Sequence, residues 1–274
     1  MAGRGGLSVI ISLAVMLDGC ALLAPRLAPT PAQLPPPEPA QFQRLTDALI
    51  ERARRLDAMQ ADAVMDYAGG GQHLKVRETV VVKRPASLRV EALTPFGVAA
   101  VVAANGTTVA IYEPSNNTFY RGAASADTLD RFARIPLPPA QAVKLLMGLL
   151  PQGEADFAAP ASVWSENGML VGSYSMPAGE VDELGFADGQ LRMVRARDSS
   201  GGGYEVNYSD YRDIGGLEFA HRLEAKFLNT GIRLNVKYND VIVNPTVSDS
   251  QFVLVPQGTV RMIDLDRPAA GGHG

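Results

Sequence analysis

Cysteine, tryptophan and histidine are almost missing from this chain: 274 residues hold one Cys, one Trp and three His. A single thiol, Cys20, excludes an internal disulfide framework. His73, His221 and His273 stand far apart and none pairs with a cysteine or another histidine at metal-ligand spacing. Charge of one sign is not concentrated anywhere either. A net charge of -4 and a pI near 5.5, with Lys and Arg scattered, exclude the basic footprint of a nucleic-acid binder. No G-x-S-x-G elbow, H-E-x-x-H pair or phosphate-binding loop is present, so no catalytic residue, metal site or cofactor is assigned. "GGGY" at Gly201 to Tyr204 reads as a hairpin turn, because no helix follows it. Neighbouring acids such as Asp182 and Glu183, or Asp264 and Asp266, are expected as surface charges, and His221 as a satisfied sheet residue. A hydrolase whose carboxylates converge from distant strands is the enzymatic alternative.

Long apolar runs are short of what a membrane span requires. The stretch from Leu7 to Leu17 is far below ~20 residues. With Arg4 before it and a small residue just before Cys20, it has the parts of a secretory signal peptide over residues 1–19. "LDGC", Leu17 to Cys20, resembles the bacterial lipobox, although Asp18 departs from the small or β-branched residue usual there. That resemblance implies acylation of Cys20, the alternative being an ordinary signal peptide cut elsewhere. Acyl chains contribute ~0.8 kcal/mol per buried methylene, enough in pairs for durable anchoring. Ala21 stands where some lipoproteins carry an inner-membrane retention aspartate, which implies the outer membrane, facing the periplasm. The proline-rich residues up to Pro39 complete an extended tether over 20–39.

The domain is expected over 40–266, with a disordered tail at 267–274. "QFQRLTDALIERARRLDAMQ" places Phe42, Leu45, Leu49, Leu56 and Met59 on one helical stripe. The period then changes to two. "HLKVRETVVVKRP" alternates apolar and polar residues, interrupted by Glu78 on the apolar side. Four more strands follow, with a hairpin at Asn105-Gly106. Between Ala124 and Pro151 two helices are expected, one capped by Ser125 and one opening on prolines. The second is apolar nearly all round and must be buried or face lipid. Hairpins then resume through "VDELGFADGQLRMVRARD", "YEVNYSDY", "LEFAHRLEAKFL" and "IRLNVKYNDVIV". The fold class is mainly β (α+β): about ten antiparallel strands in a strongly curved half-open barrel, its dry face plugged by helices. The stretch "NPTVSDSQFVLVPQGTVRMIDL" is expected as a further strand or cover.

This order of pieces resembles the lipoprotein-localisation family of LolB and LolA. "ALTPFGVAAVV" is similar to the family's strand, N-P-L-G-type turn and strand. "RIPLPPAQAVKLLMGLLPQG" resembles its helix with a G-L-P-type ending, one residue longer here. The resemblance implies an apolar cavity that accepts the acyl chains of other lipoproteins arriving on a periplasmic LolA-type carrier. It implies that Pro95, Phe96 and Gly97 form a membrane-contact loop with Phe96 protruding; the alternative is a ring folded back under the sheet. Candidate cavity residues are Val90, Val109 and Ile111 on the sheet with Leu145, Leu146 and Leu149 on the lid helix, or they are simply core. The competing reading is a structural or sensory outer-membrane lipoprotein that uses the same sheet to bind a protein or glycolipid.

Overall fold

The computed structural model describes residues 38–267. The expected signal peptide, Cys20, nearly all of the expected tether and the last seven residues, His273 among them, lie outside that range. The chain runs α1 (Pro39–Arg54), β1 (Ala58–Gly69), β2 (Gln72–Lys83), β3 (Ser87–Thr94), β4 (Gly97–Asn105), β5 (Thr108–Glu113) and β6 (Thr118–Ala123). Then come α2 (Ala126–Ala133), α3 (Pro139–Leu146), β7 (Ser162–Glu166), β8 (Met169–Ser175), β9 (Val181–Ala187) and β10 (Gln190–Arg197). It ends with β11 (Gly203–Asp213), β12 (Glu218–Phe227), β13 (Arg233–Val243) and β14 (Arg261–Asp264). All the strands join one sheet in the order β14-β6-β5-β4-β3-β2-β1-β13-β12-β11-β10-β9-β8-β7. Because β14 and β7 are both edges, the curved sheet does not close and forms a half-open barrel.

Fourteen strands replace the ten expected, and the four additions have identifiable causes. β1 was hidden by the helical stripe, which ends at Arg54 rather than running on to Met59. A distant side chain makes that break. Asn244 accepts from the backbone N–H of Asp57 at 2.8 Å and of Ala58 at 3.3 Å, and donates to the Arg55 carbonyl at 2.8 Å. Leu56 and Met59 are still fully buried, one in the link and the other on β1. β7 and β8 are short and turn at Asn167-Gly168, both at positive φ. β14 pairs in parallel with β6, so no hairpin announces it. At Asp188-Gly189 the φ values of 54° and 77° suit the two-residue turn that the sequence suggests.

Helices cover the inner face. α1 presses Phe42 against Phe186 and Tyr174, at centroid separations of 5.4 and 6.1 Å, and Thr46 shares a 3.0 Å hydrogen bond with the Tyr174 hydroxyl. Gly172 makes the seat for Phe42: a Cβ there would lie 2.4 Å from the ring. α2 begins at Ser125, whose hydroxyl accepts from the Thr128 N–H, and its Phe132 packs edge-on against Tyr120 of β6. α3 starts on Pro138-Pro139, where missing N–H groups cost nothing. Val143, Leu145, Met147, Leu149 and Leu150 are all buried, as a segment apolar on every side demands. The last three lie beyond the helix, which ends at Leu146 just before Gly148 takes a φ of 63°.

Candidate functional site: an apolar trough beneath a latched helix

Strand register aligns side chains in rows across the inner face. One row runs Ala61, Val80, Val90, Val102, Ile111 and Tyr120, from β1 to β6. The next runs Tyr238, Ala63, Glu78, Ala92 and Ala100, from β13 through β1 to β4. In these rows Val90, Ala92, Ala100, Val102 and Tyr120 are only half-buried, whereas Val80 and Ile111 are buried. The helical side contributes half-buried Leu146, Phe132 and Ile135. The inner face of β3 and β4 is therefore an aliphatic trough, made shallow-walled by alanines and only partly filled.

Among the six residues named for an acyl cavity, the structure separates two groups. Val90 and Leu146 keep part of their surface free. Val109, Ile111, Leu145 and Leu149 are buried in the core, at 0, 0, 4 and 2% exposure. Between the end of α3 and β11–β13, the contact of Leu146, Met147 and Gly148 with Tyr208, Phe219, Leu223 and Tyr238 leaves no volume for a water. The lid is closed there.

Polar bonds hold it closed. A helix end leaves its last carbonyls without intrahelical donors. Tyr208 Oη donates to the Leu145 carbonyl at 2.9 Å and Tyr238 Oη to the Leu146 carbonyl at 3.1 Å. Arg52 of α1 donates to the Gly148 carbonyl at 2.8 Å, to Met147 at 3.2 Å and to Glu218 of β12 at 3.0 Å. Its guanidinium lies 5.8 Å from the Phe219 ring centroid, and burial draws its pKa down from the usual arginine value. Helix α1, the lid and three strands thus meet at one latch. Sequence periodicity had no means of finding it, because all five of its acceptors are backbone carbonyls that meet their donors only in space.

Glu78 breaks the apolar wall. Its side chain is 7% exposed, it has no hydrogen-bond or ion-pair partner among the described residues, and desolvation lifts its carboxyl to about 7. A carboxyl of that kind is neutral through mildly acidic pH and then both donates and accepts a hydrogen bond. The interruption of the β2 alternation was the signal for it.

The Pro95-Phe96 turn joins β3 to β4 at one end of the trough strands. Thr94 Oγ1 donates to the Gly97 carbonyl at 2.9 Å and accepts from the Phe96 N–H at 3.3 Å, and Gly97 has a φ of 120° that favours glycine. Phe96 is 100% exposed, flanked by exposed Leu93 and Val98. Pro95 and Gly97 are exposed with it. His221 is buried at 4% exposure with Nδ1 3.1 Å from the Phe219 carbonyl. Asp182, expected at the surface, is instead fully buried, because β9 turns it toward the core between Tyr174 and Ala196. Among the described residues no group of three or more His, Cys, Asp or Glu could hold a metal ion.

A curved unclosed sheet, antiparallel except at the β14–β6 pair, with a helical plug is a LolA/LolB-like fold. Two solved structures share this architecture at low sequence identity. A DUF1329 family protein from Desulfovibrio piger superposes with a TM-score of 0.52 at 13% identity, over 79% of this chain and 98% of that one. A proposed outer membrane lipoprotein-sorting protein domain from Vibrio parahaemolyticus gives 0.50 at 11% identity, over 78% and 97%. A LolA superfamily protein from Nitrosomonas europaea gives 0.49 at 13%, over 76% and 97%. No family model matches the sequence, and no curated protein matches it.

Proposed function

We propose that this chain is a lipoprotein anchored in the outer membrane through acylated Cys20, and that it binds the acyl chains of other lipoproteins and helps place them in that membrane. Residues 1–19 are the signal peptide, 20–39 the tether, and 40–266 the binding domain facing the periplasm. Cargo arrives from a periplasmic carrier of the same fold. The observation that carries the reading is the fully exposed Phe96 at the tip of the hairpin whose strands form the floor of the half-filled trough. An aliphatic chain laid in that trough gains ~25 cal/mol for each Å² of apolar surface removed from water. Release into lipid is easy because acyl tails are equally apolar. The latch keeps the trough partly covered until a chain displaces α3.

The test uses a Cys20→Ala form lacking residues 1–19, mixed with a carrier from the same organism loaded with radiolabelled lipoprotein. Label moving to this protein, and onward to liposomes less efficiently after Phe96→Glu, is the expected result. Label that stays on the carrier refutes transfer. The packed contact between α3 and β11–β13 favours a second reading, a structural or sensory lipoprotein with a permanently sealed interior. Retained label together with a lid that never opens would establish it.

A further inference from the structure

A hollow of about 230 Å³ lies apart from the trough, on the other half of the sheet, between α1 and the β9–β10 and β11–β12 turns. Its volume is roughly eight times the 30 Å³ share of one water. One face of α1 and its C-cap line it, because Leu45, Ala48, Leu49, Arg52 and Arg55 recur at helical spacing. Buried Phe186, Leu191 and Leu217 form the opposite, apolar wall. The mouth is bare: the turn residues Gly189 and Gly216 carry no side chain and are exposed, as is Ala48.

Along α1 the hollow changes from apolar, at Leu45 and Leu49, to cationic. Arg52 commits three of its five N–H donors to the carbonyls of Met147, Gly148 and Glu218. Arg55 makes one long bond, 3.4 Å to the Gly216 carbonyl. All these acceptors are neutral, so among the described residues neither guanidinium meets a carboxylate at ion-pair distance. Glu218 is the one acid in the lining among the described residues; it is exposed, and its Oε1 accepts from Gln190 Nε2 at 3.1 Å. A third guanidinium, Arg192, lies 5.1 Å from the centroid of the Tyr211 ring, which also lines the hollow. The Tyr211 hydroxyl is already engaged, donating to the Leu191 carbonyl. The hollow therefore offers spare cationic donors at one end and aliphatic and aromatic surface at the other. A half-buried arginine without a counter-charge is costly, and an anion that enters lowers that cost.

We propose that this hollow is a binding site for a small aliphatic carboxylate, its head on Arg52 and Arg55 and its tail against Leu45, Leu49 and Phe186. A guanidinium fork matches the two oxygens of a carboxylate. The volume suits a tail of about five carbons, so a long or label-bearing acid is too large for it. An acyl chain attached to a lipoprotein has no free carboxylate, so this site differs from the trough in chemistry as well as in place.

The probe is hexanoate, with hexanamide as its neutral isostere and n-hexylammonium as the opposite charge, titrated at neutral pH into the purified full chain carrying ¹³C-methyl alanine. The expected result is a saturable shift of the Ala48 methyl resonance with hexanoate alone, at a millimolar dissociation constant, while the Ala92 and Ala100 methyls of the trough stay in place. Arg55→Gln weakens binding about tenfold, the loss of a charge-assisted bond. Because Arg55 is exposed, that variant folds as the parent does. Arg55→Lys, which keeps the charge and loses the fork, falls between the two. Hexanamide shifting Ala48 as strongly as hexanoate, no hexanoate response at Ala48, or unchanged affinity in Arg55→Gln would overturn the proposal.

Discussion

Arg52 is the residue whose removal most directly tests whether the lid is a moving part. It makes three hydrogen bonds to backbone carbonyls, two of them on the segment that follows α3. A bond from a charged donor contributes roughly 1.5–3 kcal/mol, less where water can replace it. Arg52→Met keeps an unbranched aliphatic side chain and removes the guanidinium, with its donors and its place over Phe219. If opening the lid breaks the two lid bonds, the substitution lifts the closed state by about 3 kcal/mol relative to the open one. At 1.4 kcal/mol per factor of ten, the open population rises about a hundredfold. A ligand that binds the open state gains apparent affinity by the same factor until the open state predominates. Fluorescence titration with dansyl-undecanoate reads that gain. Trypsin cleavage after Lys144 should accelerate in parallel, since an open lid presents that bond. The reasoning fails if Arg52→Met lowers the urea midpoint while probe affinity and cleavage rate stay at wild-type values. Arg52 would then be a brace between α1 and β12, and the lid would not open at its end. Tyr238→Phe removes one neutral bond to Leu146 and should give the same pattern at about 1 kcal/mol.

Phe96→Glu should leave the melting temperature unchanged, because the ring touches nothing, yet it should reduce flotation of the protein with phospholipid vesicles; equal flotation would remove the hairpin from membrane contact. The two buried acids set a pH dependence of definite sign. The Glu78 carboxyl is raised from 4.5 to about 7 and that of Asp182 from 3.8 to about 7. Between those values the unfolded chain has released protons that the folded chain keeps, so their contribution is complete below about pH 4 and is lost as pH rises through 7. The urea midpoint should fall between pH 5 and 8 by an amount worth a few kcal/mol, and Glu78→Gln with Asp182→Asn should flatten the profile. A wild-type profile already flat over that range would contradict the burial of both groups. Gly172→Ala drives a methyl into the Phe42 ring and should cost about 1–3 kcal/mol in denaturant unfolding; a neutral result would mean that α1 shifts freely on the sheet.

The sequence by itself determined the periods and the punctuation. Alternation in β2 to β6 and β9 to β13, glycine turns at Gly106 and Gly189, the Ser125 cap and the proline start of α3 are local signals, written within a few residues of the structure they specify. They were enough for a one-sided curved sheet with a helical plug, and Glu78 was visible as an acid on the wrong parity. Tertiary structure decided whatever depends on residues far apart. The end of α1 at Arg54 is set by Asn244, on the far side of the sheet in sequence. Without that partner, Leu56 and Met59 continue a helical stripe, and β1 stays unread. β14 exists only through its parallel pairing with β6, which no turn signals. Which aliphatic residues are packed and which line a trough was equally illegible: Val90 and Val109 look alike in sequence, but only one has free surface on the inner face. The latch and the buried Asp182 belong to the same class. A carbonyl finds its donor, or an acid loses its water, only when strands more than a hundred residues apart in places close around it, and no local pattern encodes that closure.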